Sequence, residues 1–186
     1  MGKLTICVYG AASEKIAPVF ITETENLGEE IARRHHSIIY GGGAEGVMGA
    51  CARGAAKAQG EVIGVVPFFM DEFEEINHKC TEIIRTKTMG ERKEIMEKRA
   101  DAFIIAPGGI GTLDEFFQIL TLVELGQKQA PIILYNVDNY YDELLSYVRS
   151  CIEKGFIRKR VENLVHICST PTEVLSAIES YFSNPS

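Results

Sequence analysis

Asp101-Ala102-Phe103-Ile104-Ile105-Ala106-Pro107-Gly108-Gly109-Ile110-Gly111-Thr112-Leu113-Asp114-Glu115-Phe116 reads as a short strand, an abrupt glycine turn and the start of a helix. Ala102 to Ala106 is unbroken apolar, the pattern of a strand covered on both faces of a parallel sheet. Gly108, Gly109 and Gly111 carry no Cβ that would hold a ligand off the backbone. The amides opening the next helix lack partners, which favours an anion there. The spacing predicts that helix at about 112–125, with Asp114 and Glu115 in its first turn, where the helix dipole favours a carboxylate. Asp114 is well explained that way. Glu115 lies one turn from Gly111 and can also face back over the loop. Beside a bound phosphate-sugar it could act as a general base or stabilise a cationic transition state.

The same alternation continues outward from this stretch. Apolar runs at 4–9, 37–40, 61–66, 82–86, 131–135 and 164–168 read as strands. Helices are expected at 18–34, 46–58, 88–99 and 140–154. A last one starts at Thr170-Pro171-Thr172-Glu173, a capping-box signature, and runs to about Phe182, with Ser183 onward fraying. The segment 68–80 has no regular pattern. Strands alternating with helices at short spacing imply one α/β domain over 1–186, a doubly wound, mainly parallel sheet with helices on both faces. Ligands in such sheets sit at the carboxyl ends of strands. That places the loops at 10–13, 41–46 and 108–115 along one edge.

With 186 residues, 46% hydrophobic and 24% charged, the chain can bury a sizeable core. A net charge of −7 argues against a general nucleic-acid or anionic-membrane binder, yet leaves room for a small anion held by local donors. No apolar run approaches the roughly 20 residues of a membrane span. The N-terminal residues enter a strand without a signal-peptide cleavage pattern. Five scattered cysteines form no Cys-x-x-Cys pair and read as reduced thiols, so a cytoplasmic location is expected.

Two further stretches carry chemistry. Gly41-Gly42-Gly43-Ala44-Glu45-Gly46 matches a dinucleotide fingerprint, and Glu61 lies at about the distance of its ribose-binding acid. However, Glu61 opens the following strand instead of closing it, and the motif follows the second strand instead of the first. A phosphate- or ribose-facing loop fits better, and a structural tight turn remains open. Arg92 and Lys93 lie in a polar helix, where Glu91-Arg92-Lys93-Glu94 would ordinarily form a solvated face. Arg92 nevertheless stands in the early turns, where a cation opposes the dipole, and arginine is well shaped to grip a phosphate or carboxylate.

At these residues the sequence resembles a known family. Pro107-Gly108-Gly109-Ile110-Gly111-Thr112-Leu113-Asp114-Glu115 is similar to the Pro-Gly-Gly-x-Gly-Thr-x-x-Glu signature of the LONELY GUY (LOG) family. Met89-Gly90-Glu91-Arg92-Lys93 resembles its Met-x-x-Arg-Lys element. Tyr40-Gly41-Gly42-Gly43 with Gly46-Val47-Met48-Gly49 resembles its first glycine loop. Residues 62–67 and 136–141 also fit.

The resemblance implies a Rossmann-like fold and hydrolysis of the N-glycosidic bond of a nucleoside 5'-monophosphate, a cytokinin riboside 5'-monophosphate or AMP, to free base and ribose 5-phosphate. It implies Arg92 and Glu115 as the catalytic pair and a substrate- and phosphate-binding set of Gly108, Gly109, Ile110, Gly111, Thr112, Ser13, Gly42, Gly43 and Met89. Lys93, Glu74 and Thr121 are further substrate-site candidates. It implies homodimers with sites near the interface, and neither metal nor organic cofactor. Ala11 stands where the family usually has glycine, and Asp114 replaces a frequent Glu. The family's older label of lysine decarboxylase fits poorly, since that chemistry needs a lysine bound to pyridoxal phosphate. No lysine occurs between 101 and 116. The stronger rival is a non-catalytic nucleotide- or cofactor-binding protein of the same fold, which would not need Arg92 and Glu115 together.

Overall fold

The computed structural model describes residues 2–13 and 15–183. Its elements are β1 (Thr5–Tyr9), α1 (Pro18–Arg33), β2 (Ser37–Tyr40), α2 (Gly46–Lys57), β3 (Val62–Pro67), β4 (Glu82–Thr86), α3 (Met89–Arg99), β5 (Ala102–Ile105), α4 (Ile110–Glu124), β6 (Ile132–Tyr135), α5 (Asp142–Glu153), β7 (Val165–Cys168) and α6 (Pro171–Ser183). Seven parallel strands form one sheet in the order β4-β3-β2-β1-β5-β6-β7. The winding reverses between β1 and β5, and there the loops after the strands diverge and leave a crevice.

Apart from Thr5 and Ser37 at their starts, the strands of the sheet centre are apolar because helices cover both faces. Ile6, Val8, Ile38 and Ile104 join α1, α2 and α6 in one core. Cys7, Tyr9, Phe103 and Ile105 join α3 and α4 in the other. Helix α2 is almost entirely small residues and lies tight against α1. A Cβ at Gly28 would come within 1.9 Å of the Cys51 carbonyl oxygen, and one at Gly54 within 1.9 Å of that of Glu25. The α6 capping box forms as read: Thr170 Oγ1 accepts from Glu173 N, and the Glu173 carboxylate accepts from Ser169 N and Thr170 N.

Two helix starts differ from expectation. Helix α4 begins at Ile110, because Gly109 serves as its N-cap. Asp114 and Glu115 therefore lie beyond the first turn, and the dipole does not account for either. Helix α5 begins at Asp142, not 140, because Val137–Asn139 forms a 3-10 turn with Asp138 and Asn139 in the left-handed region. The segment 68–80 holds a 3-10 helix at Phe68–Glu72 and a bridge between Gly43 and Ile76. Ser183 still belongs to α6, and residues 184–186, where fraying was expected, lie outside the described residues. All five cysteines are free thiols. Among the described residues no helix is long and apolar enough to cross a membrane.

Gly54→Ala weighs two effects against each other. Alanine is the better helix former by about 1 kcal/mol, but its methyl has no room against the α1 backbone, and overpacking costs about 1–3 kcal/mol. The clash is expected to win, lowering the urea midpoint. A midpoint at or above wild type would show that α1 and α2 separate freely.

Candidate active site

Beyond β5 the chain turns through Pro107, Gly108 and Gly109 into α4. The Pro107 carbonyl accepts from Ala11 N at 3.1 Å, tying this turn to the loop after β1. Gly109 caps α4 without a side chain, and its carbonyl accepts from Leu113 N at 3.0 Å. Among the described residues nothing accepts from the amides of Gly109, Ile110, Gly111 or Thr112. Thr112 is buried and folds back over the turn; a Cβ at Gly108 would come within 2.1 Å of Thr112 Oγ1. A row of free amides at a helix start presents donors suited to an anion.

Across from this row stands Arg92. Helix α3 is mostly polar, with Met96 as its buried apolar residue, yet Arg92 also turns inward and is only 4% exposed. Among the described residues its Nε has no partner, and Nη1 reaches the Met89 sulfur at 3.7 Å. The guanidinium reaches Gly41 through its Nη2 end, where any Cβ would come within 1.8 Å of Nη2. This close approach explains the glycine at 41 without a dinucleotide. Glu61 confirms the point: it sits at the opposite edge of the sheet, accepting from Lys3 Nζ at 2.7 Å and Ser37 Oγ at 2.6 Å.

Glu115 is buried, 8% exposed, and faces the same cleft as Arg92 with no ion pair between them among the described residues. Burial pushes its carboxyl up to about 7; Arg92 pulls in the opposite direction but does not offset it. Glu74 is also raised by burial, again opposed by Arg92.

The cleft has a volume of about 360 Å³, within the range of small-ligand sites. Of the residues expected from sequence, Ser13, Glu74, Met89, Arg92, Gly109, Gly111, Thr112 and Glu115 line it. The others lie around it. Gly108 borders an adjoining hollow with Lys15, Phe20 and Tyr140. Ile110 turns its side chain outward, 89% exposed, and offers only its amide. Lys93 is held by Asp114 at 2.8 Å. Gly42 packs against Val66, and Gly43 lies beneath the Glu74 carboxylate. Thr121 is exposed farther along α4, its hydroxyl donating to the Phe117 carbonyl. Met48 and Met70 join the wall. Met48 follows the first glycine loop directly, whereas Met70 comes from the irregular segment, where no periodicity marks an inward side chain. Among the described residues no group of three or more His, Cys, Asp or Glu side chains is placed to hold a metal ion.

Comparison with known proteins agrees with this geometry. A family model described as "Possible lysine decarboxylase" matches residues 48–178. A probable cytokinin riboside 5'-monophosphate phosphoribohydrolase of Oryza sativa subsp. japonica is 33% identical over 95% of this chain and 72% of its own length. A cytokinin riboside 5'-monophosphate phosphoribohydrolase of Arabidopsis thaliana is 33% identical over 95% of this chain and 82% of its own. Among solved structures, the molybdenum cofactor binding protein of Rippkaea orientalis superposes with a TM-score of 0.75 at 28% identity, covering 98% of this chain and 99% of that one. The molybdenum cofactor carrier protein of Chlamydomonas reinhardtii, at 21% identity and a TM-score of 0.73 over 98% and 100% of the two chains, shares the fold. The glycine loop, the Arg92 and Glu115 positions and these relatives converge on one assignment: the chain belongs to the LONELY GUY family, which carries the possible-lysine-decarboxylase family model.

Proposed function

We propose that this protein is a phosphoribohydrolase that cleaves the N-glycosidic bond of a nucleoside 5'-monophosphate, releasing free base and ribose 5-phosphate. The observation that carries the reading is the pairing of two unsatisfied features in one cleft. One is a row of free amides fit for a phosphate; the other is a buried carboxyl near neutrality facing a buried guanidinium that has no carboxylate partner among the described residues. The relatives named phosphoribohydrolases support it.

With the 5'-phosphate on the Gly109–Thr112 amides, the ribose extends along the first turn of α4 toward Glu115. Breaking the bond from C1' to the base sends its electron pair to the base nitrogen and leaves positive charge on the sugar. The Glu115 carboxylate stabilises that charge. Water then adds to C1', and its proton is passed on as the base takes one up. Arg92 keeps a share of Glu115 ionised at neutral pH. Phosphate binding, remote from the reacting bond, supplies the energy of positioning. The base lies among the thioethers of Met48, Met70 and Met89, which suit an aromatic ring. Cytokinin-type and plain adenine bases are the proposed leaving groups. We also place the protein in the cytoplasm, in keeping with its free thiols, and as a homodimer, supported by the exposed apolar side chains of Ile110, Phe117 and Leu125 along α4.

A second reading, a cofactor carrier, is favoured by the resemblance to the molybdenum cofactor binding protein. A carrier needs the anion loop but not a carboxyl held near neutrality.

Purified protein is expected to release base from AMP or an N6-substituted AMP. Glu115→Gln and Arg92→Ala should each cut turnover by at least about a hundredfold while keeping the wild-type circular dichroism. A wild type that binds nucleotides yet frees no base from any monophosphate favours the carrier.

The pH dependence follows from the raised carboxyl. The chemistry uses the carboxylate, so kcat/KM should climb through a limb near pH 7 that disappears in Glu115→Gln. Stability runs the other way. The folded chain holds this proton up to about 7, the unfolded chain only to its ordinary value of 4.5. This group's contribution is therefore present below that value and lost as pH rises toward 7. Glu115→Gln should match wild type near pH 4 and exceed it by up to about 3 kcal/mol at pH 8. Urea titrations at the two values measure the gap, and an equal gap at both would contradict the burial of a titrating carboxyl.

A further inference from the structure

Behind the glycine loop, on the side away from Arg92, two adjacent tyrosines reach its carbonyls. Tyr140 Oη donates to the Gly108 carbonyl at 2.8 Å, and Tyr141 Oη donates to the Ala106 carbonyl at 2.7 Å. Both arrive from a segment built to deliver them. Asp138 and Asn139 take left-handed backbone conformations, uncommon for residues with a Cβ. The buried Asn136 side chain accepts from Tyr141 N at 2.7 Å and donates to Asp142 Oδ1 at 2.8 Å. The Tyr140 ring is held edge-on by Phe20, with centroids 5.4 Å apart, and by Tyr141 at 4.9 Å.

We propose that Tyr140 is a positioning residue for the phosphate: by gripping the Gly108 carbonyl it aims the Gly109 amide into the cleft. This rests on the reading of the loop as the 5'-phosphate site. In a trans peptide the carbonyl and the following N–H point in opposite directions. Fixing the Gly108 carbonyl toward Tyr140 therefore fixes the Gly109 N–H away from it. Little else sets that orientation, since Gly109 has no side chain, α4 has no side-chain cap, and no protein acceptor among the described residues meets the amide. A loop rich in glycine would otherwise sample several orientations, and the phosphate would have to select one on binding.

Tyr141 provides a contrast within the same structure. The carbonyl it grips precedes Pro107, which has no N–H to aim. Its hydrogen bond is buried, so Tyr141 anchors the strand end and does not direct a donor.

The test measures product binding by calorimetry, with ribose 5-phosphate and free adenine as separate probes, so it does not depend on turnover. Tyr140→Phe keeps the ring and removes the hydroxyl. It should weaken ribose 5-phosphate roughly five- to tenfold, as expected for one lost hydrogen bond, while adenine affinity stays within about twofold. Phe20→Leu, which loosens the ring packing but leaves the hydroxyl, should bind ribose 5-phosphate nearly as wild type does. Tyr141→Phe should lower the melting temperature with ribose 5-phosphate affinity little changed. Unchanged ribose 5-phosphate affinity in Tyr140→Phe overturns the proposal, as does an equal loss for both probes, which would mark a merely structural role. If the wild type proves inactive, a selective loss of ribose 5-phosphate in Tyr140→Phe still upholds the positioning role while the hydrolase reading falls.

Discussion

A carboxylate and a guanidinium taken out of water ordinarily pair, because isolated buried charge is costly. Here Arg92 and Glu115 are both buried, face one cleft and do not pair. Much of the surrounding structure serves to keep them so. Gly41, lacking a Cβ, leaves room for the end of the guanidinium against the backbone after β2. The N-cap at Gly109 starts α4 early enough that Glu115 falls a turn below the loop, on the buried side. Asp114, its neighbour, is drawn outward by Lys93, which leaves the interior carboxyl alone with the cleft. The winding reversal between β1 and β5 opens the space between them. An anionic substrate whose sugar becomes cationic would satisfy both groups in turn.

Much of this was legible in the chain itself. Apolar runs of four to six residues separated by helical segments specify a parallel sheet almost without alternative, because only strands covered on both faces lack an alternating pattern. The glycine loop and the helix start that follows it could be read because glycines and helix starts act through the backbone. The position of Glu61 at a strand's beginning was enough to set aside the dinucleotide reading. Features that depend on side chains meeting across the fold were not legible. Nothing local shows that Arg92 turns inward from a helix as polar as α3, that Lys93 is claimed by Asp114, or that Met70 reaches the cleft from a segment without periodicity. The start of α4 was misplaced because Gly109 caps by conformation, with no hydroxyl to announce it. The start of α5 was misplaced because Tyr140 and Tyr141 look like a helix's first turn until their hydroxyls are seen gripping carbonyls thirty-odd residues earlier.

The structural neighbours show why fold alone does not decide chemistry. A cofactor binding protein superposes over nearly the whole of this chain, and the anion-binding edge is a property of the winding shared by any such sheet. What the winding does not supply is a buried carboxyl poised near neutrality opposite an arginine. That couple comes from three separate local choices, at Gly41, Arg92 and Glu115.

The topology has a consequence for how the molecule comes into being. β1 pairs with β5 as well as β2, so Ile6 waits for Ala102, and the cleft draws on residues from Gly10 to Glu115. Contacts so far apart in the chain must close long loops before they return any stabilisation, which slows folding. On a ribosome, β1 would emerge with one edge bare until roughly a hundred residues had followed. For that interval its backbone donors and acceptors are open to any other extended chain. The same arrangement that gathers the cleft from distant segments thus leaves the nascent chain exposed to mispairing for longest at its central strand.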